Sequence, residues 1–162
     1  MNLVGYTDAG YLSDPHSDKS QSGYVFLCGG TAISWKSSKE TFVSSSTNHS
    51  EIIALYEAAR ECAWLRRMIS HIKSPCGLNI ELTPTIIYED YAACVAQVQM
   101  RYVKSQLTKH INSKFFYAHE LHKVNEFKIM HTESCDNLAD IFTKSLPAST
   151  FDKCVGAWNE KT

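Results

Sequence analysis

The chain has no apolar run long enough to span a bilayer, and its first residues lack the basic and then apolar order of a secretory signal. Its six cysteines include no Cys-x-x-Cys pair. Without a secretory signal we expect reduced thiols rather than disulfides, and therefore an intracellular, cytosol-like compartment. A membrane protein and a disulfide-rich secreted domain are thus not expected.

A large net charge is also missing. The 16 basic and 17 acidic residues leave a formal charge of −1 at pH 7, which argues against a protein that coats nucleic acid by bulk attraction. The segment 101–128 is an exception, because it holds six basic residues and only two acids. A solvated helix face is the usual reason for such a segment, and a basic surface for a nucleic acid is the alternative.

The length of 162 residues suits one domain over 1–162, with a core at about 2–147 and an amphipathic C-terminal extension at 148–162. Apolar periodicity and turn residues divide this core into strands and helices. The predicted strands are 2–8, 23–28, 31–36, 83–90 and 126–132. The predicted helices are a long one with an apolar stripe over 52–72, ended by the residues 74–77, and three others at 91–100, 107–124 and 134–146. Three strands followed by helix–strand alternation predict an α/β fold with a mixed sheet covered by helices.

Four carboxylates stand out by their positions in this pattern. Asp8 and Asp90 each end a predicted strand, Glu51 lies in the first turn of the long helix, and Asp140 lies among apolar residues of the last helix. In open sheets with helical crossovers, ligands bind beyond the carboxyl ends of the strands. If the first and fourth strands are parallel neighbours, these four side chains meet at one edge of the sheet.

Each carboxylate also has a purely structural alternative. Asp8 suits a turn, Asp90 suits a helix cap, and Asp140 suits a solvated helix edge. Asn48 and Glu51 have the spacing of a capping box. Crowded together, however, four carboxylates repel one another unless a cation lies between them. Mg²⁺ and Mn²⁺ prefer oxygen ligands, and two such ions about 3.5–4 Å apart promote phosphodiester hydrolysis.

Six motifs, spread over almost the whole chain, carry one resemblance. They are GYTDA (5–9), KSQSGYVFLCGGTAISWKSSKE (19–40), SSSTNHSEIIALYEAARECAWLR (44–66), TIIYEDYAA (85–93), LTKHI (107–111) and NLADIFTKSLP (137–147). With these motifs the chain resembles the ribonuclease H domain of Ty1/Copia-type retrotransposon polyproteins. The resemblance implies the ribonuclease H fold, a five-stranded mixed sheet with helices on both faces.

The same resemblance implies the residues of the site. The catalytic residues would be Asp8, Glu51, Asp90 and Asp140, and the same four would bind two Mg²⁺ ions, for which Mn²⁺ can substitute. His131 lies in the region where cellular ribonucleases H carry a mobile histidine that assists product release. A surface histidine at a strand end is the alternative for this residue.

Further residues would contact the substrate. The resemblance places Ser46, Thr47 and Asn48 against the substrate backbone and its 2′-hydroxyl groups, which distinguish RNA from DNA. A role in capping the long helix is the structural alternative for these three residues. Lys109 and His110 would face phosphates from the basic segment.

The implied activity is hydrolysis of the RNA strand of RNA–DNA hybrids during retrotransposon reverse transcription. The implied partners are the hybrid and the reverse transcriptase polymerase domain of the same polyprotein. This chain would be a piece of that polyprotein, and the isolated piece is expected to be a monomer. The implied location is a cytoplasmic virus-like particle, with the nucleus as the alternative. Two other hypotheses stay open. One is a catalytically weak or silent domain that binds hybrid or packs against the polymerase domain through 101–128, and the other is an integrase- or resolvase-type nuclease of the same superfamily.

Overall fold

The computed structural model describes residues 3–14, 16, 18–41, 43–77, 83–101 and 109–156. The strands are β1 (Leu3–Gly10), β2 (Gln21–Cys28), β3 (Thr31–Lys39), β4 (Thr85–Glu89) and β5 (Phe127–His131). The α-helices are α1 (Thr47–Lys73), α2 (Ala92–Met100), α3 (Lys109–Lys123) and α4 (Ala148–Gly156), and short 3₁₀ turns lie at Ser74–Cys76, Ser134–Asp136 and Leu138–Phe142. Within the described residues, no helix is both long enough and apolar enough to cross a bilayer.

The five strands form one mixed sheet in the order β3-β2-β1-β4-β5. The first three strands pair antiparallel through hairpin-type connections, and β1–β4 and β4–β5 pair parallel. Parallel neighbours need long crossovers, and α1 and the α2–α3 segment lie in those two connections. The carboxyl ends of β1 and β4 therefore lie at the same edge of the sheet, as the sequence predicted.

Helices or helical turns cover both faces of the sheet, which confirms the predicted layering. The alternation of β2 shows the division, because Tyr24 and Phe26 face the core under α1, α2 and α3, whereas Val25 and Leu27 face the opposite side. On that opposite side they pack with residues of the 138–142 turn and of α4. The described part of the predicted C-terminal extension thus packs on the sheet, and its last residues, 157–162, lie outside the described residues.

The start of α1 differs from the predicted capping box. The cap is Ser46, whose backbone is extended and whose hydroxyl oxygen accepts the backbone N–H of His49 at 3.3 Å. Asn48 lies inside the helix instead, and its amide nitrogen donates to Gln97 Oε1 at 3.0 Å. Glu51 is consequently the fifth helical residue rather than part of the first turn, and its side chain is available for another role.

The prediction of a helix at 134–146 was wrong, since the segment folds as two 3₁₀ turns separated by Asn137. The backbone of Asn137 is extended, and its side-chain oxygen accepts the N–H of Ala139 at 3.1 Å. Its amide nitrogen donates to the carbonyl of Thr7 on β1 at 2.9 Å. Asparagine side chains that bond nearby backbone groups compete with helix formation, and here a contact across the fold adds to that competition.

Gly23 allows this segment to lie close against the sheet. A Cβ at Gly23 would lie 2.7 Å from Cβ of Phe142 and 2.8 Å from Cγ2 of Thr143, so any larger residue would displace the segment. Gly23 is also the residue that pairs with Asp8 across β1 and β2. The close approach therefore brings the end of the 138–142 turn next to Asp8.

Candidate metal centre

Three of the predicted carboxylates meet at the edge of the sheet where β1 and β4 end. One carboxylate oxygen from each of Asp8, Asp90 and Asp140 lies within 4.8 Å of the others. Asp8 lies one residue beyond the last β1–β4 pair, Asp90 directly follows β4, and Asp140 lies in the 138–142 turn. The parallel pairing and the packing of the turn bring these three residues together.

The fourth predicted carboxylate joins a second group, which includes an acid that was not predicted. Single carboxylate oxygens of Glu51, Glu89 and Asp90 also lie within 4.8 Å of one another. Asp90 belongs to both groups, so the two groups form one continuous cluster of five acids. Glu51 is 3% exposed and Glu89 is 0% exposed, and among the described residues neither forms an ion pair.

A lysine that was also not predicted lies in the Asp8–Asp140 half. Lys144 Nζ lies 3.1 Å from Asp8 Oδ1 and 2.8 Å from Asp140 Oδ1. The hydroxyl of Thr143 donates to the other oxygen of Asp8. Burial opposes the charge of Lys144, yet the two carboxylates raise its pKa above the usual lysine value. This half of the cluster is therefore neutralised in part by a side chain of the protein itself.

The acids have pKa values that reflect their burial and mutual repulsion. Burial and then the charges of Asp8 and Asp90 raise the pKa of Glu51 to about 9. Burial raises the pKa of Glu89 well above the usual value, with the charge of Glu51 adding to it. Burial raises the pKa of Asp140 to about 6, and it also raises that of Asp8 against the opposing effect of Lys144. Such a cluster favours either bound protons or a bound cation.

The chemistry of the donors fits a divalent cation. Oε2 of Glu51 and Oε2 of Glu89 are buried and have no hydrogen-bond partner. Buried polar atoms in folded proteins nearly always have a partner, so two orphaned oxygens within one acidic cluster indicate a missing positive group. All five side chains offer hard oxygen donors, which suit Mg²⁺ and Mn²⁺ rather than softer metals.

We expect the metal-free protein to lose stability as the pH rises. Because the folded-state pKa of Glu51 is raised from 4.5 to about 9, the folded protein holds a proton that the unfolded chain releases over this range. The free energy of unfolding should then fall progressively as the pH increases between those two values. Thermal unfolding in EDTA across this range measures the effect, and Mg²⁺ should restore more stability at the alkaline end. An unfolding temperature that rises with pH would contradict the prediction.

The predicted substrate residues lie around the start of α1. Ser46, Thr47 and Asn48 are half-buried, and Ser46 and Asn48 make the capping and Gln97 contacts described above. They precede Glu51 by about one turn of the same helix. The helix-capping alternative is thus confirmed for Ser46, and the substrate roles of the three residues stay predictions.

The other predicted residues lie in two different places. Lys109 and His110 are exposed at the start of α3, and His110 lines a surface groove together with Lys36, Lys39 and Lys114. None of the cluster's five acids lines that groove. His131, by contrast, is an exposed residue at the end of β5, and its Nε2 lies 3.1 Å from the backbone carbonyl of Asp90. This histidine is therefore adjacent to the cluster.

Sequence reasoning missed Glu89, Thr143 and Lys144. A signal for Glu89 existed in the alternation of β4, since Thr85, Ile87 and Glu89 occupy successive buried positions of one face. A glutamate at such a position has to be explained by its partners. Lys144 has helical i,i+4 spacing from Asp140, but its contact with Asp8 spans 136 residues and depends on the tertiary fold.

Comparison with known proteins gives several retrotransposon polyproteins as relatives over most of the chain. The chain is 30% identical over 152 residues to the retrovirus-related Pol polyprotein from transposon TNT 1-94 of Nicotiana tabacum, a match that covers 94% of this chain and 11% of the polyprotein. It is 26% identical over 156 residues to the Ty1-DR1 Gag-Pol polyprotein of Saccharomyces cerevisiae, covering 96% of this chain and 8% of that protein. The chain therefore spans about a tenth of the length of these curated relatives. No family model matches the chain.

Solved structures show the same architecture. LC11-RNase H1, solved in complex with an RNA/DNA hybrid, superposes with a TM-score of 0.63 at 18% identity, covering 88% of this chain and 94% of that one. The foamy viral protease-reverse transcriptase in complex with RNA/DNA hybrid superposes with a TM-score of 0.61 at 19% identity, covering 87% of this chain and 19% of that one. The fold and the resemblance predicted from the motifs are thus confirmed. The chain is homologous to one segment of Ty1/Copia-type retrotransposon polyproteins, and it has the ribonuclease H fold.

Proposed function

We propose that this protein hydrolyses the RNA strand of RNA–DNA hybrids, as the ribonuclease H part of a retrotransposon reverse transcriptase. The observation that carries the proposal is the convergence of five carboxylates where β1 and β4 end, with two buried oxygens lacking a partner. Support comes from the retrotransposon relatives and from structural neighbours that were solved with RNA/DNA hybrid. An integrase- or resolvase-type nuclease receives no such support from the neighbours reported above.

Two divalent cations, Mg²⁺ or Mn²⁺, would be bound by Asp8, Glu51, Asp90 and Asp140. When bound, such a pair lowers the pKa of a water molecule and stabilises both the attacking and the leaving oxygen of a phosphodiester. Asp90 belongs to both groups of acids, so it would help to hold a cation in either of them. The partial burial of the cluster excludes bulk water from most of its surface and strengthens the attraction of its carboxylates for bound cations.

The residues around the cluster would position the substrate. The hydroxyl groups of Ser46 and Thr47 lie at the start of α1, where the helix dipole also favours a phosphate group. Lys144, half-exposed beside Asp8 and Asp140, supplies a positive charge next to the reacting phosphate. His131, whose Nε2 lies 3.1 Å from the backbone carbonyl of Asp90, would assist product release.

The proposed partners follow from the same relatives. The hybrid is the proposed substrate, and the polymerase domain of the same polyprotein is the proposed neighbour, since the chain corresponds to a small fraction of each relative. The groove that His110 lines has three lysines but also Glu40 and Glu57, and Lys36 and Lys114 pair with Glu57, so it would be at most a secondary contact for the hybrid backbone. Because the net charge is only −1, binding of the isolated protein to hybrid should be weak and sensitive to salt.

Cleavage of an end-labelled RNA–DNA hybrid in low salt tests the function. We expect the RNA strand alone to be cut in Mg²⁺ or Mn²⁺, with no cutting in EDTA and none by Asp90→Asn. Duplex RNA and duplex DNA serve as alternative substrates, and Asp152→Asn, an exposed substitution on α4, serves as the matched control. If the folded protein does not cut the hybrid in Mn²⁺, the proposal is contradicted. Binding of the hybrid without cutting would then identify a catalytically silent domain.

A further inference from the structure

The two halves of the acidic cluster differ in how their charge is balanced. In the Asp8–Asp140 half, the ammonium group of Lys144 lies within 3.1 Å of both carboxylates. In the Glu51–Glu89 half, no cationic side chain among the described residues lies within ion-pair distance of either acid. The half that is more deeply buried is thus the half that lacks a counter-charge.

Glu89 has the features of a ligand rather than of an accidental core residue. Its side chain is completely buried, and its Oε1 accepts the backbone N–H of Tyr91 at 3.1 Å. That hydrogen bond holds the carboxyl group inside the cluster, and the other oxygen, Oε2, has no partner. Burying such an atom without a partner is unfavourable, and coordination of a cation would compensate for it.

The second orphaned oxygen is on the neighbouring acid. Oε2 of Glu51 is also buried without a partner, and Glu51, Glu89 and Asp90 each have a carboxylate oxygen within 4.8 Å of the others. One oxygen from each of three acids at this spacing forms a small concave set of hard donors, which is the arrangement that a divalent cation prefers.

We propose that Glu89 is a fifth metal ligand, so that Glu51, Glu89 and Asp90 form the subsite that a divalent cation occupies first. This inference rests on the proposed function, because each of them requires a divalent cation at the acidic cluster. The role of Glu89 as a ligand does not, however, require that the protein cleaves hybrid. The Asp8–Asp140 subsite fills second, because an incoming cation there has to displace the ammonium group of Lys144 from its two carboxylates. Uptake of the two ions is therefore sequential and unequal.

Binding of Mn²⁺, followed by the electron paramagnetic resonance signal of the free ion, tests the inference on the whole chain. We expect Glu89→Gln, which keeps the size of the side chain, to weaken the tighter Mn²⁺ site at least tenfold. The matched control Glu120→Gln, an exposed position on α3, should bind as the wild type does. Lys144→Met should leave the tighter site unchanged and strengthen the weaker one. A Glu89→Gln variant whose tighter site stays within twofold of the wild type would overturn the inference.

A measurement on the wild type removes any dependence on how the variant folds. The side-chain carboxyl ¹³C signals of the five acids can be followed while Mg²⁺ is added. We expect the signals of Glu51 and Glu89 to shift at lower Mg²⁺ concentration than those of Asp8 and Asp140. A Glu89 signal that stays constant while the others shift would overturn the inference. If the same wild-type sample still cleaves the hybrid, the proposed function stands although Glu89 is not a ligand. A protein that binds no divalent cation would contradict both the proposed function and the role of Glu89.

Discussion

Asp8→Asn is expected to abolish hybrid cleavage while leaving the metal-free protein at least as stable as the wild type. The amide keeps the shape of the side chain and can still bond to Thr143, but it is a poor ligand for a hard cation. If the lost transition-state stabilisation is about 4 kcal/mol, kcat/KM falls by roughly a thousandfold. Single-turnover cleavage of a labelled hybrid measures this loss.

The stability of the same variant follows from burial. Asp8 is 1% exposed, and burial raises its pKa despite the opposing effects of Lys144 and Thr143. At pH values above that pKa the ionised side chain costs free energy, and the neutral amide avoids the cost. Lys144 meanwhile keeps its ion pair with Asp140.

Thermal unfolding of Asp8→Asn in EDTA should therefore show its largest advantage over the wild type at alkaline pH. The advantage should shrink as the pH falls towards the raised pKa of Asp8, because protonation removes the charge of the wild-type side chain. Asp152→Asn, on the exposed side of α4, is the control for a simple change of net charge. Cleavage at the wild-type rate would contradict the assignment of Asp8. A markedly lower unfolding temperature would show that the pair with Lys144 outweighs the cost of burial.

Asn137→Ala is expected to have the largest effect on stability. Asn137 is 1% exposed, and its side chain binds the carbonyl of Thr7 and the N–H of Ala139. Those two residues directly precede Asp8 and Asp140, so one amide group links the backbones that carry two of the predicted ligands. Alanine would leave two buried backbone groups without partners and a small cavity beside them.

The expected cost is about 3 kcal/mol, which corresponds to a fall of roughly 6–12 °C in the unfolding temperature. Cleavage should fall at least tenfold even where the variant is folded, because Asp140 and Lys144 lose the anchor of their segment. The neighbouring substitution Asp136→Ala removes an exposed ion pair with Lys153 and should change little. Equal unfolding temperatures for the two variants would contradict the anchoring role.

Much of the fold was predictable because its signals are local. The glycine pair between two apolar runs indicated a hairpin, and Gly29 and Gly30 both have the positive φ values that such a turn requires. The long apolar stripe predicted α1, and the stop signal at 74–77 placed its end at Lys73. The polar residues that interrupt these patterns, Asp8 and Asp90, marked the sheet edge where the cluster lies.

Two features of the site were not predictable from local pattern. The segment 134–146 has helical spacing of apolar residues, but Asn137 reaches Thr7, 130 residues away in the chain, and this contact replaces a helix with two 3₁₀ turns. Glu89 was overlooked because it directly precedes Asp90, the predicted ligand, and a charged residue at the end of a strand is usually exposed to solvent. Its complete burial becomes evident only in the tertiary structure, where Glu51 of α1 lies beside it.

The sequence by itself determined the strands, the long helix and four of the acids, since strand and helix periodicities and turn preferences act over a few residues. The tertiary structure decided which acids share a cation, that Lys144 balances Asp8 and Asp140, and that Glu89 joins the cluster. The physical reason is that charge balance and burial depend on distances between segments far apart in the chain. A carboxylate has the same local pattern whether its neighbour is water, an ammonium group or a second carboxylate, and only packing determines which of these it meets.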